Sequence, residues 1–168
     1  RANIDDELFN YMEEESASLD ALGFETLGEY WTKDEPYNTK QRIAISPDGV
    51  TVSGIGQTVD VKFCSLTSFL EDGTVISSAN CQQLDIEKKL ASNGYICVCQ
   101  PDADMLELHD LHLAAVKNHS IAKAVEIQEI PLGRWTEFMS YSNDRFGHIK
   151  FLIGKGNQAL VPRPVMPP

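Results

Sequence analysis

Positive charge is scarce in this chain. Fourteen Lys and Arg stand against 25 Asp and Glu, for a formal net charge of −11 over 168 residues. An acidic surface repels phosphodiester backbones and anionic headgroups, so nucleic-acid binding and docking on acidic membranes are disfavoured. Long apolar runs are missing as well. None approaches the roughly 20 residues that span a bilayer, so direct insertion by this segment is not expected. There is no initiator Met and no signal peptide. A start at Arg1 suggests that a tag, a signal or a membrane anchor precedes it. The expected setting is therefore cytoplasmic, or the soluble side of a membrane-associated protein, rather than secreted.

Motifs that name a reaction are missing too. Gly54-Ile55-Gly56 has two glycines of a dinucleotide fingerprint, without the third and without a following helix. Gly154-Lys155-Gly156 lacks the phosphate-loop spacing, and no serine sits in a G-x-S-x-G elbow. No cofactor is expected. Four cysteines, Cys64, Cys81, Cys97 and Cys99, are too few for a disulfide-stapled scaffold of this length. Cys97 and Cys99 sit two apart, which on a strand places both on one face, roughly 7 Å apart. The residue types fit small apolar side chains on a buried strand. Metal ligation would want C-x-x-C spacing and a second pair.

What remains is well patterned. Ile4, Leu8, Tyr11, Met12, Leu19 and Leu22 recur at helical spacing and predict an amphipathic helix over 4–22, stopped by Gly23. Glu15 falls near the centre of the stripe. Either it reaches solvent at the rim or it is a partly buried carboxylate with a partner. From Phe24 the period becomes two. Strands are expected over Phe24–Trp31, Gln41–Ser46, Val50–Ile55, Val59–Phe69, Thr74–Asn80 and Tyr95–Gln100. Ser46-Pro47-Asp48-Gly49, Asp72-Gly73 and Asn93-Gly94 read as tight turns, hence antiparallel hairpins. Residues 81–92 read as a loop. A helix over 103–118, capped by Asp102, follows, then a short edge strand (Ala124–Ile130) and a third helix (134–146). The tail Val161-Pro162-Arg163-Pro164-Val165-Met166-Pro167-Pro168 can form no regular ladder and should be extended.

The second helix holds Leu108-His109-Asp110-Leu111-His112, and His119 further on. At 100° per residue His112 is centred in the apolar stripe with Met105, Leu108, Ala115 and Val116, and His109 lies at its edge. A core or interface imidazole with bonded nitrogens is the expectation. Glu15 and His112, both polar on apolar faces, are a natural pair across a helix contact. The sharper alternative makes His109 and His112 metal ligands or an acid/base pair. However, their i, i+3 spacing is not that of H-E-x-x-H, and further ligands would have to come from elsewhere.

Gly23-Phe24 with Leu27-Gly28, then Asp72-Gly73-Thr74, then His112-Leu113, resembles an uncharacterised family of bacterial domains. That family has a Gly-Phe-x-x-Leu-Gly strand, an Asp-Gly-Thr hairpin and a later helix with a His-Leu pair. The similarity spans most of residues 15–150. It implies no activity, and it implies that some relatives follow membrane segments.

The expected fold is α+β: an antiparallel sheet of five or six strands with an N-terminal helix and two C-terminal helices. A pleckstrin-homology-like half-barrel is the alternative. Residues 1–156 should form one domain and 157–168 a proline-rich tail. The expected function is a non-catalytic binding or assembly domain, with a protein partner or a second copy held at the sheet or at Pro162, Arg163, Pro164 and Val165. The alternative is a metal-dependent or His-based enzyme centred on His109 and His112.

Overall fold

The computed structural model describes residues 6–34, 37–58, 61–82, 94–123 and 126. Helix α1 (Asp6–Ala21) buries Leu8, Met12, Ser16 and Leu19. That stripe leaves Glu15 half-buried at its margin. The helix ends where Gly23 can take a left-handed φ of 81°. The Gly23 N–H donates to the Asp20 carbonyl (2.9 Å) and the Phe24 N–H to the Leu19 carbonyl (3.0 Å). These two bonds satisfy carbonyls that the last turn would otherwise orphan, and they bring Phe24 against the core beside Leu19.

Six strands follow: β1 (Glu25–Asp34), β2 (Tyr37–Ile45), β3 (Thr51–Thr58), β4 (Val61–Phe69), β5 (Val75–Ala79) and β6 (Tyr95–Cys99). Among the described residues they form one sheet in sequence order, from β1 to β6. The turn chemistry is local. At the β2–β3 turn the Gly49 N–H donates to the Ser46 carbonyl, and the Ser46 hydroxyl to Asp48. At the β4–β5 turn the Thr74 N–H donates to Asp72 Oδ1 at 2.8 Å, and Gly73 has a φ of 90°. A bulge between Thr26 and Gly28 leaves Leu27 unmatched in β1, and Leu27 packs on the apolar cluster of the sheet's second face.

The hairpin signals predict a wholly antiparallel sheet, and the structure departs from that. The pairs from β1 to β5 are antiparallel, but β6 runs parallel to β5, with Val75 opposite Tyr95 and Ala79 opposite Cys99. Residues 80–94 separate the two strands, a connection long enough for a crossover. The α+β class holds; the sheet is mixed. Helix α2 (Met105–Lys123) is the one C-terminal helix among the described residues. The helix expected at 134–146, the strand at 124–130, most of the 81–92 loop and the proline tail lie outside the described residues.

The start of α2 also corrects an expectation. The cap is Asp104 rather than Asp102, which instead takes a positive φ of 66°. The Glu107 N–H donates to Asp104 Oδ1 (2.9 Å) and the Asp104 N–H to Glu107 Oε2 (3.3 Å), a reciprocal capping box.

Helix α1 packs on β3, and α2 on β4 and β5. Register places Ala44, Ile55, Cys64, Leu66, Ile76 and Ser78 on the helix-covered face. There Leu8, Met12, Leu19, Phe24, Met105 and Leu108 join Ala44, Ile55, Cys64 and Leu66 in the main core. The opposite face carries a second buried cluster of Ile43, Ile45, Val52, Phe69 and Val75. On that face strands β2 and β3 approach closely at Gly56. A Cβ there would stand 2.0 Å from the Lys40 carbonyl oxygen and 2.7 Å from the Gln41 Cα, both backbone atoms. We expect Gly56→Ala to lower stability by about 2–3 kcal/mol, because neither strand can yield without losing its ladder. Gly54→Ala meets only the ends of the Ser65 and Gln41 side chains, at 3.1 and 3.2 Å, and should cost less. Urea unfolding of the two variants tests the ranking; equal losses would contradict it.

Candidate functional site

Beneath α2 a polar group is set into the apolar core. His112 is fully buried (0% exposed), and Ser68, Ser78 and Thr51 are buried with it. The inward positions of β4 and β5 are small here, which leaves room for an imidazole descending from the helix. Its Nε2 lies 3.0 Å from the Ser68 hydroxyl and its Nδ1 3.1 Å from the Ser78 hydroxyl. Ser68 Oγ is in turn 3.0 Å from Thr51 Oγ1. A neutral imidazole has one donor and one acceptor, and hydroxyls can supply either complement, so the ring is fully satisfied without charge. Burial, with a smaller contribution from nearby His109, pulls its pKa down to about 4 from 6.5.

Two serines within reach of an imidazole have the spacing that nucleophile activation uses. Chemistry needs a substrate at the same atoms, and these atoms are closed to solvent. No carboxylate orients the ring, because both nitrogens are held by serines. The same bonding leaves His112 no lone pair directed at an ion. His109 turns the other way, with its ring edge-on to Phe24 at 6.1 Å between centroids and Nδ1 3.9 Å from Asp110 Oδ1. Among the described residues no three His, Cys, Asp or Glu side chains converge as a metal-binding group.

The expected Glu15–His112 pair does not form. Glu15 faces Cys64, and burial raises the pKa of its carboxyl above the ordinary value. Cys64 lies 3.1 Å from the Tyr11 hydroxyl and accepts no role as a thiolate, since burial pushes the thiol up to about 12. Burial likewise raises the Tyr11 phenol. Asn80 braces the group: its Oδ1 accepts the Cys64 N–H at 2.7 Å and its Nδ2 donates to the Ala103 carbonyl at 3.3 Å, tying β4 to the approach of α2. The helix offset explains the failed pairing. Glu15 sits over the α1 side of the sheet, whereas His112 drops onto β4 and β5.

A third polar group, not anticipated from sequence, ties α1 to β1 and β2. Arg42 Nη2 lies 2.7 Å from both Glu13 Oε1 and Glu29 Oε1, while Nη1 donates to Ser16 Oγ at 3.0 Å. Burial opposes the charge on Arg42, but the bonds to Glu29 and Glu13 outweigh it and raise its pKa. The available signal was a lone Arg within the β2 alternation, facing a helix rich in Glu. Ser68 and Ser78 gave a weaker signal: small hydroxyls at inward strand positions, which pattern reading treats as neutral.

Residues Pro162, Arg163, Pro164 and Val165 lie outside the described residues. No described helix is long and apolar enough to cross a membrane. No protein-family model, curated protein or solved structure matches the chain, so the geometry alone carries the functional reading.

Proposed function

We propose that this chain is a non-catalytic binding or assembly domain that holds a protein partner or a second copy of itself. The observation that carries the reading is the two-sidedness of α2. Its inner face is sealed on the sheet by Met105, Leu108, His112 and Val116. Its outer face presents Leu106, Leu113 and Ile121, which are 52%, 48% and 70% exposed. At 100° per residue these three fall within about 80° of one another. A stripe of large apolar residues left exposed along one helix is surface that a partner can bury. The closed serine–histidine group supports the same reading, since the most reactive-looking residue is used for packing. Kinship with the uncharacterised bacterial family is part of this proposal. Of the residues that carry the resemblance, Gly23, Gly28, Asp72, Gly73 and His112 hold turn, bulge or core posts here, whereas Leu113 is exposed.

Light scattering on the eluting protein tests the proposal. An assembled mass above the 18.7 kDa of one chain is expected, reverting to 18.7 kDa in Leu113→Glu with an unchanged melting temperature. If partner capture rather than self-association is the mode, the same substitution or removal of residues 157–168 should abolish it. A strict monomer from which neither change removes a partner would refute the reading.

A further inference from the structure

We propose that the exposed stripe of α2 docks on the same stripe of a second copy of this chain, the two helices running antiparallel about a twofold axis between Leu113 and Ala114. Such pairing rests on the binding role proposed above for that stripe, and it adds an occupant and a register. Leu106, Leu113 and Ile121 are exposed, as are Asp110, Ala114 and Lys117. Counted at 100° per residue from Leu106, Leu113 falls at about −20°, Lys117 at about 20°, Asp110 at about 40°, Ile121 at about 60° and Ala114 at about 80°. The two charges therefore stand inside the apolar stripe rather than beside it.

Whatever covers this stripe must answer both charges. Asp110 and Lys117 lose water on docking, and a purely apolar partner would leave each of them uncompensated. The occupant must set a cation over Asp110 and an anion over Lys117, about 10.5 Å further along the helix. A reversed copy of α2 carries that pattern. Turned end for end about an axis between Leu113 and Ala114, each copy places its Leu106 level with the partner's Ile121, its Asp110 level with the partner's Lys117, and its Leu113 level with the partner's Ala114. Apolar and ionic layers then alternate along the seam, and each charge within the stripe meets its opposite. A parallel pair sets Asp110 on Asp110 and Lys117 on Lys117, which like-charge repulsion disfavours. Asp110 Oδ1 is 3.9 Å from His109 Nδ1, beyond hydrogen-bond length, and its side chain is 89% exposed, so an incoming ammonium can reach it.

The net charge of −11 opposes contact between copies. Salt screens that repulsion over about 8 Å at physiological ionic strength, whereas charges in contact at a seam are screened much less. The order of charges along α2, acidic Asp110 before basic Lys117, therefore decides the local pairing.

Sedimentation velocity on the intact chain, over a concentration series at physiological ionic strength, reads the pairing. The native mass should approach twice 18.7 kDa as concentration rises. Asp110→Lys sets a lysine against Lys117, and Lys117→Asp sets an aspartate against Asp110. Each should weaken the dimer at least about tenfold, because attraction turns to repulsion at both symmetry-related places. The double exchange restores both pairs in the antiparallel register and in no parallel one, so its dissociation constant should return to within about threefold of native. Both positions are exposed, and each variant should keep the native melting temperature. A dimer that the single exchanges leave intact, or that the double exchange does not recover, would overturn the pairing while leaving a binding domain that uses another seam. A monomer at every concentration would overturn it too. If that monomer captures a partner that Leu113→Glu releases, the binding role survives with a different occupant; if it captures none, both fall.

Discussion

Replacing His112 with alanine should lower folding stability by about 3–5 kcal/mol. Two losses add. The ring fills a fully buried space between α2, β4 and β5, and its removal leaves a cavity that the surrounding strands cannot collapse to fill. The Ser78 hydroxyl also loses its imidazole partner while still buried, at about 1–3 kcal/mol for a group left unsatisfied, whereas Ser68 keeps its bond to Thr51. A domain of this size has only about 5–15 kcal/mol in hand, so the variant will be marginal or unfolded at 37 °C. Ser78→Ala provides the milder measurement. It frees Nδ1 alone and should cost about 1–2 kcal/mol. A double-mutant cycle then isolates the pair: the combined variant should be less damaged than the sum of the two, since the second loss removes a group already orphaned. Strict additivity would show that the Ser78–His112 bond contributes nothing.

Acid should destabilise the protein through the same ring. The folded-state pKa is about 4 and the ordinary value 6.5, so between those limits the unfolded chain binds the proton and the folded chain does not. Stability from this source is complete above pH 6.5 and is lost progressively as pH falls through the window to 4. It amounts to about 3 kcal/mol. Glu15 acts in the opposite sense. Its raised pKa means that the folded state holds the proton more tightly, so its contribution is present at low pH and lost as pH rises through the folded value. The measured acid curve is the sum, and a comparison is needed to separate the two. His112→Gln keeps a neutral side chain of hydrogen-bonding character and removes the titration. Urea midpoints at pH 7 and pH 4.5 should fall much further for the native protein than for the variant. Parallel falls would mean that the imidazole is not the acid-sensitive group.

Local chemistry explains which features were readable in advance. The six strands follow from alternation with period two, and the Gly23 stop and the Asp72-Gly73 hairpin from residues that tolerate positive φ. The inward aim of His112 follows from helical periodicity. In contrast, the direction of β6 was not readable, because an alternating pentapeptide pairs equally well either way and the choice depends on how residues 80–94 cross. Asp102 and Asp104 are both chemically fit to cap α2. The backbone path into Ala103, which is buried, selects the second.

Periodicity and turn chemistry by themselves determined which segments became helix or strand, and which face of each turned inward. These are near-neighbour properties, decided within one or two turns of chain. Only the tertiary arrangement decided who met whom: Ser68 and Ser78 with His112, Cys64 with Glu15, Arg42 with Glu13 and Glu29. Those partners come from different elements, and their pairing is settled by helix placement over the sheet, where a shift of one strand exchanges every contact.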